Sequence, residues 1–443
     1  VARTKLKSPP KIDLRGGNVP RLSYQSSVRR QYITTNLPNH NTYLMTFLCI
    51  SCYHKGAPFL KAAKAAGNTI ILLTMKNLEH VGWPREAIDE MLFMESDSNE
   101  PANLGNLAKG LAWMMKSRKI DRIIAMDDFD VEKAAYLREE FRLPGMGQTT
   151  ARYFRDKLAM RVQAHDQGVR VPKFSSLFND IELTDFANSI EYPCLVKPRG
   201  EASATGITKV HSAEELWRVV HGLGEKRSQY LVEQFRPGDV YHADSISVDG
   251  EVVFCQVSRY LSTPFEVAHG GGIFRSASVP YHHDDAVTLR RLTEEVMHAF
   301  HMQFSASHTE FIKLPSGEFV FLETASRVGG AHLAEMVEAA TGISLWEEWA
   351  KLESAKARGQ QYHLPERRYD QAGIVVSLSR FERPDMAPFN DPEVVWRMDK
   401  AQHVGVIVAS DSEQRVRELL DKYADVIGRD YHAAAPAPDK SLH

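Results

Sequence analysis

Two apolar runs, His308 to Leu314 and Phe319 to Glu323, meet at Pro315-Ser316-Gly317, a stretch that breaks the chain and predicts a β-hairpin. Pairing Leu314 with Phe319 across a four-residue loop places Glu310 directly opposite Glu323. In that register Ile312, Leu314, Phe319 and Phe321 share the glutamates' face, and Phe311, Val320 and Leu322 take the other. Both faces are apolar, the pattern of strands inside a sheet covered on both sides. Directly paired residues hold their Cβ atoms roughly 4.5–5.5 Å apart, so the two carboxylates repel. In a buried hairpin they need a counter-charge, and a hard divalent cation supplies one. At a fraying hairpin end they are two unrelated surface acids.

The rest of the chain sets the context. Its 443 residues suffice for two to four domains, and 43% hydrophobic with 25% charged residues fits a globular protein. A net charge of -3 leaves no electrostatic footprint for nucleic acid or an anionic membrane. No apolar run approaches a membrane span; Tyr43 to Ile50 is strand-sized. Four cysteines argue for a reducing compartment, hence a cytoplasmic protein. Cys49 and Cys52 form a C-x-x-C at the end of an apolar strand, read as a buried strand end or as a redox or metal pair.

Strand and helix alternate after a basic extension over residues 1–40, which holds eight Lys/Arg against Asp13 and reads as a flexible tail or a transit segment. Strands at Leu44–Ser51, Thr69–Thr74 and Arg122–Met126 alternate with helices at Pro58–Ala66, Leu104–Lys119 and Val131–Phe141. Residues 41–148 are therefore expected to form a parallel α/β sheet with helices on both faces. The first strand–helix turn, Cys52 to Pro58, is not a G-x-G-x-x-G. Residues 149–354 open with a charged helix, Ala151–Gln167, then turn to short strands, with a tight hairpin at Asp249-Gly250. A smaller α+β unit is expected over 355–432, and 433–443 is low-complexity.

Two further segments carry chemistry. In Val196-Lys197-Pro198-Arg199-Gly200-Glu201-Ala202-Ser203-Ala204-Thr205-Gly206 a strand delivers a lysine into a loop of small residues. Such a loop lets backbone N–H groups approach phosphate oxygens, and Lys197 adds a point charge; it also reads as a surface hairpin with a solvated lysine. Tyr230 to Gln234 is an apolar strand running into Phe235-Arg236-Pro237-Gly238, which reads as any strand end or as a hinge presented to an adenine edge.

Taken in order, Phe154–Arg161 with Lys157, the Lys197 loop, Glu233-Gln234-Phe235, and the Glu310 and Glu323 strands closed by Arg327 resemble the ATP-grasp superfamily. The resemblance spans roughly residues 44–430. It implies an N-terminal Rossmann-like domain, a central two-lobed ATP-grasp domain and a small C-terminal α+β unit. By the same resemblance Lys157 and Lys197 bind ATP phosphates, and the loop with Gly200, Ser203, Thr205 and Gly206 closes over them. Glu233, Gln234 and Phe235 contact adenine, largely through backbone. Glu310 and Glu323 hold Mg²⁺ or Mn²⁺, and Arg327 stabilises transferred phosphate or a substrate carboxylate.

Three positions depart from the family pattern. Ala325 replaces the Asn of Glu-x-Asn-x-Arg, so water replaces that ligand or, of two ions, the second is weakly held. Thr324 and Ser326 carry hydroxyls on the wrong face. Val240 replaces a ribose-binding Glu, leaving Asp239 or a water as a substitute, and Thr205 stands where many relatives carry a basic residue.

The resemblance implies an ATP-dependent carboxylate–amine ligase that joins an amino acid or small acid to an amine through an acylphosphate. A biotin-carboxylase-like enzyme and a nucleotide-binding module without turnover are the alternatives. Arg259 and Arg275 are candidate clamps for a substrate carboxylate, or surface groups; His269, in a glycine-rich loop, is a candidate to orient or deprotonate an amine, or a loop histidine. The partners expected are small molecules, with neither nucleic acid nor membrane; a homodimer is left open.

Overall fold

The computed structural model describes residues 44–94, 103–202, 205–262, 267 and 271–434. The basic extension and residues 435–443 of the low-complexity tail lie outside the described residues.

Four parallel strands, β1 (Thr46–Ser51), β2 (Thr69–Met75), β3 (Glu90–Met94) and β4 (Arg122–Ala125), form the first sheet in the order β3-β2-β1-β4. β1 is a continuous apolar run because both its faces are covered. Phe47 and Cys49 pack with Phe59 and Trp349, whereas Leu48 and Ile50 pack with Leu111 and Val131. Cys49 is fully buried and burial pushes its thiol up, as it does that of Cys52. The pair reads as a buried strand end, and all four cysteines are free.

A second sheet has the order β5-β8-β6-β7, from β5 (Phe174–Ser176), β6 (Cys194–Pro198), β7 (Thr208–Val210) and β8 (Tyr230–Gln234). The helix expected over Ala151–Gln167 is two helices, Gln148–Tyr153 and Lys157–Asp166. Asp156 breaks it, because its carboxylate caps the second helix by accepting from the amides of Leu158 and Ala159. Arg199 holds that carboxylate in place, its Nε donating at 2.9 Å. Lys157 thus begins a helix.

The third sheet has eight strands: β9 (Asp239–Val248), β10 (Glu251–Tyr260), β11 (Phe274–Ser278), β12 (Ser305–Lys313), β13 (Phe319–Ala325), β14 (Gln371–Leu378), β15 (Val394–Arg397) and β16 (His403–Ser410). Their order is β13-β12-β9-β10-β11-β14-β16-β15, so the strands of the 355–432 segment continue the same sheet through the β11–β14 pair. The turn between β9 and β10 has positive φ at both Asp249 (53°) and Gly250 (91°), as a tight two-residue hairpin requires.

The acidic hairpin differs from expectation in one respect. Lys313 pairs with Phe319, Ile312 with Val320 and Phe311 with Phe321; a bulge then intervenes, and Glu310 pairs with Glu323. The turn is one residue out of the expected register, and the bulge restores it at the glutamates. Phe311 and Phe321 therefore share a face, where their rings meet edge to face at 6.0 Å. Ile312, Leu314 and Val320 take the face that carries Glu310. A bulge places two residues opposite one and re-aims the side chains that follow.

Candidate active site

A cavity of about 640 Å³ lies between the second and third sheets, with Asp128 reaching it from just beyond β4. It is lined by Lys157, Lys197, Thr205, Glu233, Gln234, Phe235, Glu310, Glu323 and Arg327, nine of the residues singled out from sequence. Ala325, Tyr260 and His308 line it as well.

On the second-sheet side the charges form a closed set. Glu233 is buried; Arg161 donates to one of its oxygens at 2.8 and 3.0 Å, and Lys197 pairs with the other. Burial alone would raise this carboxyl, but Arg161 and Lys197 outweigh it and bring it down to about 2. Antiparallel pairing joins Glu233 to Phe174 and Leu195, and the amides of Gln234 and Phe235 donate to the carbonyls of Lys173 and Pro193. An adenine edge would therefore not find those two hinge amides free. Lys157 Nζ donates to the Glu201 carbonyl at 2.6 Å and lies 3.3 Å from Glu323.

On the third-sheet side three neighbouring strands align two rows. His242, Glu310 and Glu323 form one, and Asp244, His308 and Ala325 the other. Asp244 accepts from His242 Nδ1 at 2.7 Å and from His308 Nδ1 at 2.8 Å, and His242 Nε2 lies 2.8 Å from Ser276 Oγ. Tyr260 donates its hydroxyl to Glu310 Oε1 at 2.8 Å. Burial opposes charge on His308, but Asp244 and Glu310 outweigh it and raise the imidazole to about 10. Asp244 is held well below the usual carboxylate range against its burial, by the charges of His308 and His242. For Glu310 burial again opposes the charge, and His308, with Nε2 3.5 Å from Oε1, leads the influences that lower it.

Arg327 crosses to the first sheet. Its Nε donates to Asp128 Oδ2 at 3.0 Å, Nη2 pairs with the same oxygen, and Nη1 donates to the Val328 carbonyl at 2.9 Å. Asp128 sits past the carboxyl end of β4, where open parallel sheets bind ligands.

The structure does not bring every expected residue to the cavity. Strand alternation turns Tyr260 inward and Arg259 outward, where Arg259 pairs with Asp239 at 2.8 Å beside a second cavity. The same alternation turns Phe274 inward and Arg275 outward to Asp421 at 2.8 Å. Arg259, Arg275 and Asp239 are thus corrected as cavity groups. Gly200 and Gly206 shape the loop without lining the cavity; Gly206 has φ 69°, and a Cβ there would lie 2.9 Å from Pro198. Ser203 and His269 lie outside the described residues.

Asp128, Arg161, His242, Asp244 and His308 carry no signal of their own in the sequence reading, whereas Tyr260 belongs to the segment Val257–Tyr260 that reads as a substrate wall. The period of two that places Glu310 also places His308, and the same period joins His242 to Asp244 along β9.

Residues 166–256 match the family model described as D-ala D-ala ligase C-terminus. The fold is similar to that of an L-amino acid ligase from Bacillus licheniformis, with a TM-score of 0.67 at 17% identity over 88% of this chain and 98% of that one. A biotin carboxylase domain from Hydrogenobacter thermophilus, crystallised with MgADP and bicarbonate, gives 0.65 at 16% identity over 88% and 90%. This chain has the ATP-grasp fold. In sequence it is 27% identical over 243 residues to an L-arginine-specific L-amino acid ligase of Bacillus subtilis. That match covers 53% of this ATP-grasp chain and 58% of the relative's length. No helix among the described residues is long and apolar enough to cross a membrane.

Proposed function

We propose that the chain is an ATP-dependent carboxylate–amine ligase that joins an amino acid or small carboxylic acid to an amine through an acylphosphate. One observation carries the reading: the cations Lys157 and Lys197 and the carboxylates Glu310 and Glu323 face one cavity, and Arg327 closes it. Phosphoryl transfer spreads charge over oxygens, and catalysis there is mostly positioning and charge stabilisation. The ligase names of the relatives support an amide-forming reaction over a carboxylase or a module without turnover.

The residues present fit a divalent metal. Two carboxylates are paired across strands, and Glu323 is open enough, with its side chain 36% exposed, to accept a ligand. Mg²⁺ or Mn²⁺ bound to Glu310 and Glu323 would neutralise the phosphate oxygens. Lys157 and Lys197 each have donors beyond those already engaged, and these meet the phosphates. The loop holding Gly200, Thr205 and Gly206 would cover them, and Glu233, Gln234 and Phe235 would flank the base. Arg327, fixed by Asp128, presents its remaining N–H groups to phosphate or to the substrate carboxylate.

In the first step a carboxylate oxygen of the acid attacks the γ-phosphorus and ADP leaves. The amine nitrogen then attacks the acyl carbon, inorganic phosphate leaves, and the amine loses a proton. For the setting we propose the cytoplasm, which accords with four free cysteines, and a homodimer, the commonest closed assembly, to be read by light scattering.

Incubation with Mg·ATP and pooled amino acids tests the proposal. ADP and phosphate release that needs both an acid and an amine is the expected result, and the product mass identifies both. Bicarbonate-dependent turnover, or ATP binding without turnover, overturns the ligase reading. Glu323→Gln, which removes charge at the proposed metal site, is expected to lower turnover at least about 100-fold; full activity would sink the assignment of Glu323.

A further inference from the structure

Relatives with the Glu-x-Asn-x-Arg pattern offer an oxygen where this chain has Ala325, and the residue paired with Ala325 across the strands is His308. Ala325 and His308 both line the cavity. Gly329 leaves room for the pair, because a Cβ there would lie 2.8 Å from Asp244 Oδ1 and 3.0 Å from His308 Nδ1. Gly329 therefore admits the Asp244–His308 pair at the edge of the cavity.

His242, Asp244 and His308 offer ligand atoms within 4.8 Å of one another, yet the space among them is not where an ion fits. Both Nδ1 atoms are directed at Asp244, and His242 Nε2 is engaged with Ser276. The atom turned outward is His308 Nε2, 3.5 Å from Glu310 Oε1 and 3.4 Å from the Tyr260 hydroxyl. A charge-assisted N–H···O bond closes to about 2.7–2.9 Å, well short of that separation. Two adjacent ligands of one first-row ion, each about 2.1 Å from it, stand roughly 3 Å apart. The N···O spacing thus needs only a few tenths of an ångström of closure around an ion.

We propose that His308 Nε2, giving up its proton to solvent as the ion enters, is a ligand of the metal centre, completing with Glu310 and Glu323 the set that Ala325 leaves short, and that this nitrogen shifts the centre's preference from Mg²⁺ towards Mn²⁺. The proposal rests on the metal-dependent ATP reading above and assigns a ligand type within it. Asp244, receiving Nδ1–H, fixes the ring and makes Nε2 a stronger donor, the arrangement found behind most metal-bound histidines. His242 and Ser276 extend that support inward. An imidazole nitrogen suits later first-row ions, whereas Mg²⁺ prefers an all-oxygen shell.

Pulsed electron paramagnetic resonance of the full chain with Mn²⁺ and ADP tests this directly. The spectrum is expected to show a directly bound imidazole nitrogen whose coupling changes when the protein carries ¹⁵N-labelled histidine. His308→Asn keeps a polar ligand of similar reach but supplies oxygen. It should remove the coupling and lower the Mn²⁺-over-Mg²⁺ affinity ratio about tenfold or more. Nucleotide-dependent Mn²⁺ binding without a histidine coupling overturns the ligand assignment and leaves the ATP reading standing. No nucleotide-dependent Mn²⁺ binding at all overturns both. The wild-type spectrum decides the ligand even if the variant does not fold.

Discussion

On the second-sheet side of the cavity Glu233 is 2% exposed, and both its oxygens are taken, by Arg161 and by Lys197. On the third-sheet side Glu323 has a side chain 36% exposed and meets Lys157 at 3.3 Å, while Glu310 beside it rests on Tyr260 and His308. Both regions bury carboxylates among cations, but the first is closed by its own residues and the second presents open oxygens to the cavity. A closed set contributes to folding, because breaking it strands a buried charge. An open set is completed by what it binds. The two kinds of glutamate should therefore fail in opposite ways.

The largest effect is expected from Glu233→Gln, which leaves Arg161 and Lys197 without their shared anion. Urea unfolding should record a loss of roughly 3–5 kcal/mol. Glu323→Gln, judged in the same assay, should cost less than about 1 kcal/mol, because its partner is a half-open lysine contact. Equal losses in the two variants would erase the distinction between a closed and an open set.

Acid sharpens the contrast on the closed side. Glu233 titrates at about 2 in the folded chain against an ordinary value of 4.5. A carboxyl with a depressed folded value stabilises above its unfolded value and loses that contribution as pH falls. The contribution is therefore complete above about pH 4.5 and is lost on the way down to about pH 2, a change of roughly 3 kcal/mol. Unfolding free energies of wild type and Glu233→Gln should converge over that window. Parallel curves would mean that Glu233 is not the carboxyl responsible.

The open side was more legible from sequence than the closed one, for physical reasons. The glutamates stand on strands whose period and turn are local, so Glu310 opposite Glu323 follows from the hairpin alone. Even there the turn is one residue out of register, because a bulge has no signature in the residue types and moves Phe319 and Phe321 from the glutamates' face to the face of Phe311. Lys197 and Glu233 were visible singly, but Arg161, which joins their pair from a helix, required the tertiary fold. Arg259 and Arg275 face away from the cavity because strand alternation turns Tyr260 and Phe274 inward instead, a choice of face that residue type alone does not fix. Asp128 and Arg327 follow strands of different sheets and are separated by 199 positions, beyond any local pattern.

The finest test of the open set is Tyr260→Phe. The hydroxyl donates to Glu310 Oε1 at 2.8 Å, and burial followed by the Glu310 charge pushes the phenol up, so it remains a donor. The ring itself packs against His242 at 4.7 Å and Phe274 at 5.7 Å, contacts that phenylalanine keeps. Losing one hydrogen bond to a charged acceptor should cost about 1.5–3 kcal/mol in metal-free protein. With Mn²⁺ and ADP present the ion shares the Glu310 charge, so the cost in thermal or urea unfolding should shrink by about half or more. An equal cost with and without the ion would place Glu310 among closed carboxylates like Glu233, and the difference between the two sides of the cavity would rest on Glu323 alone.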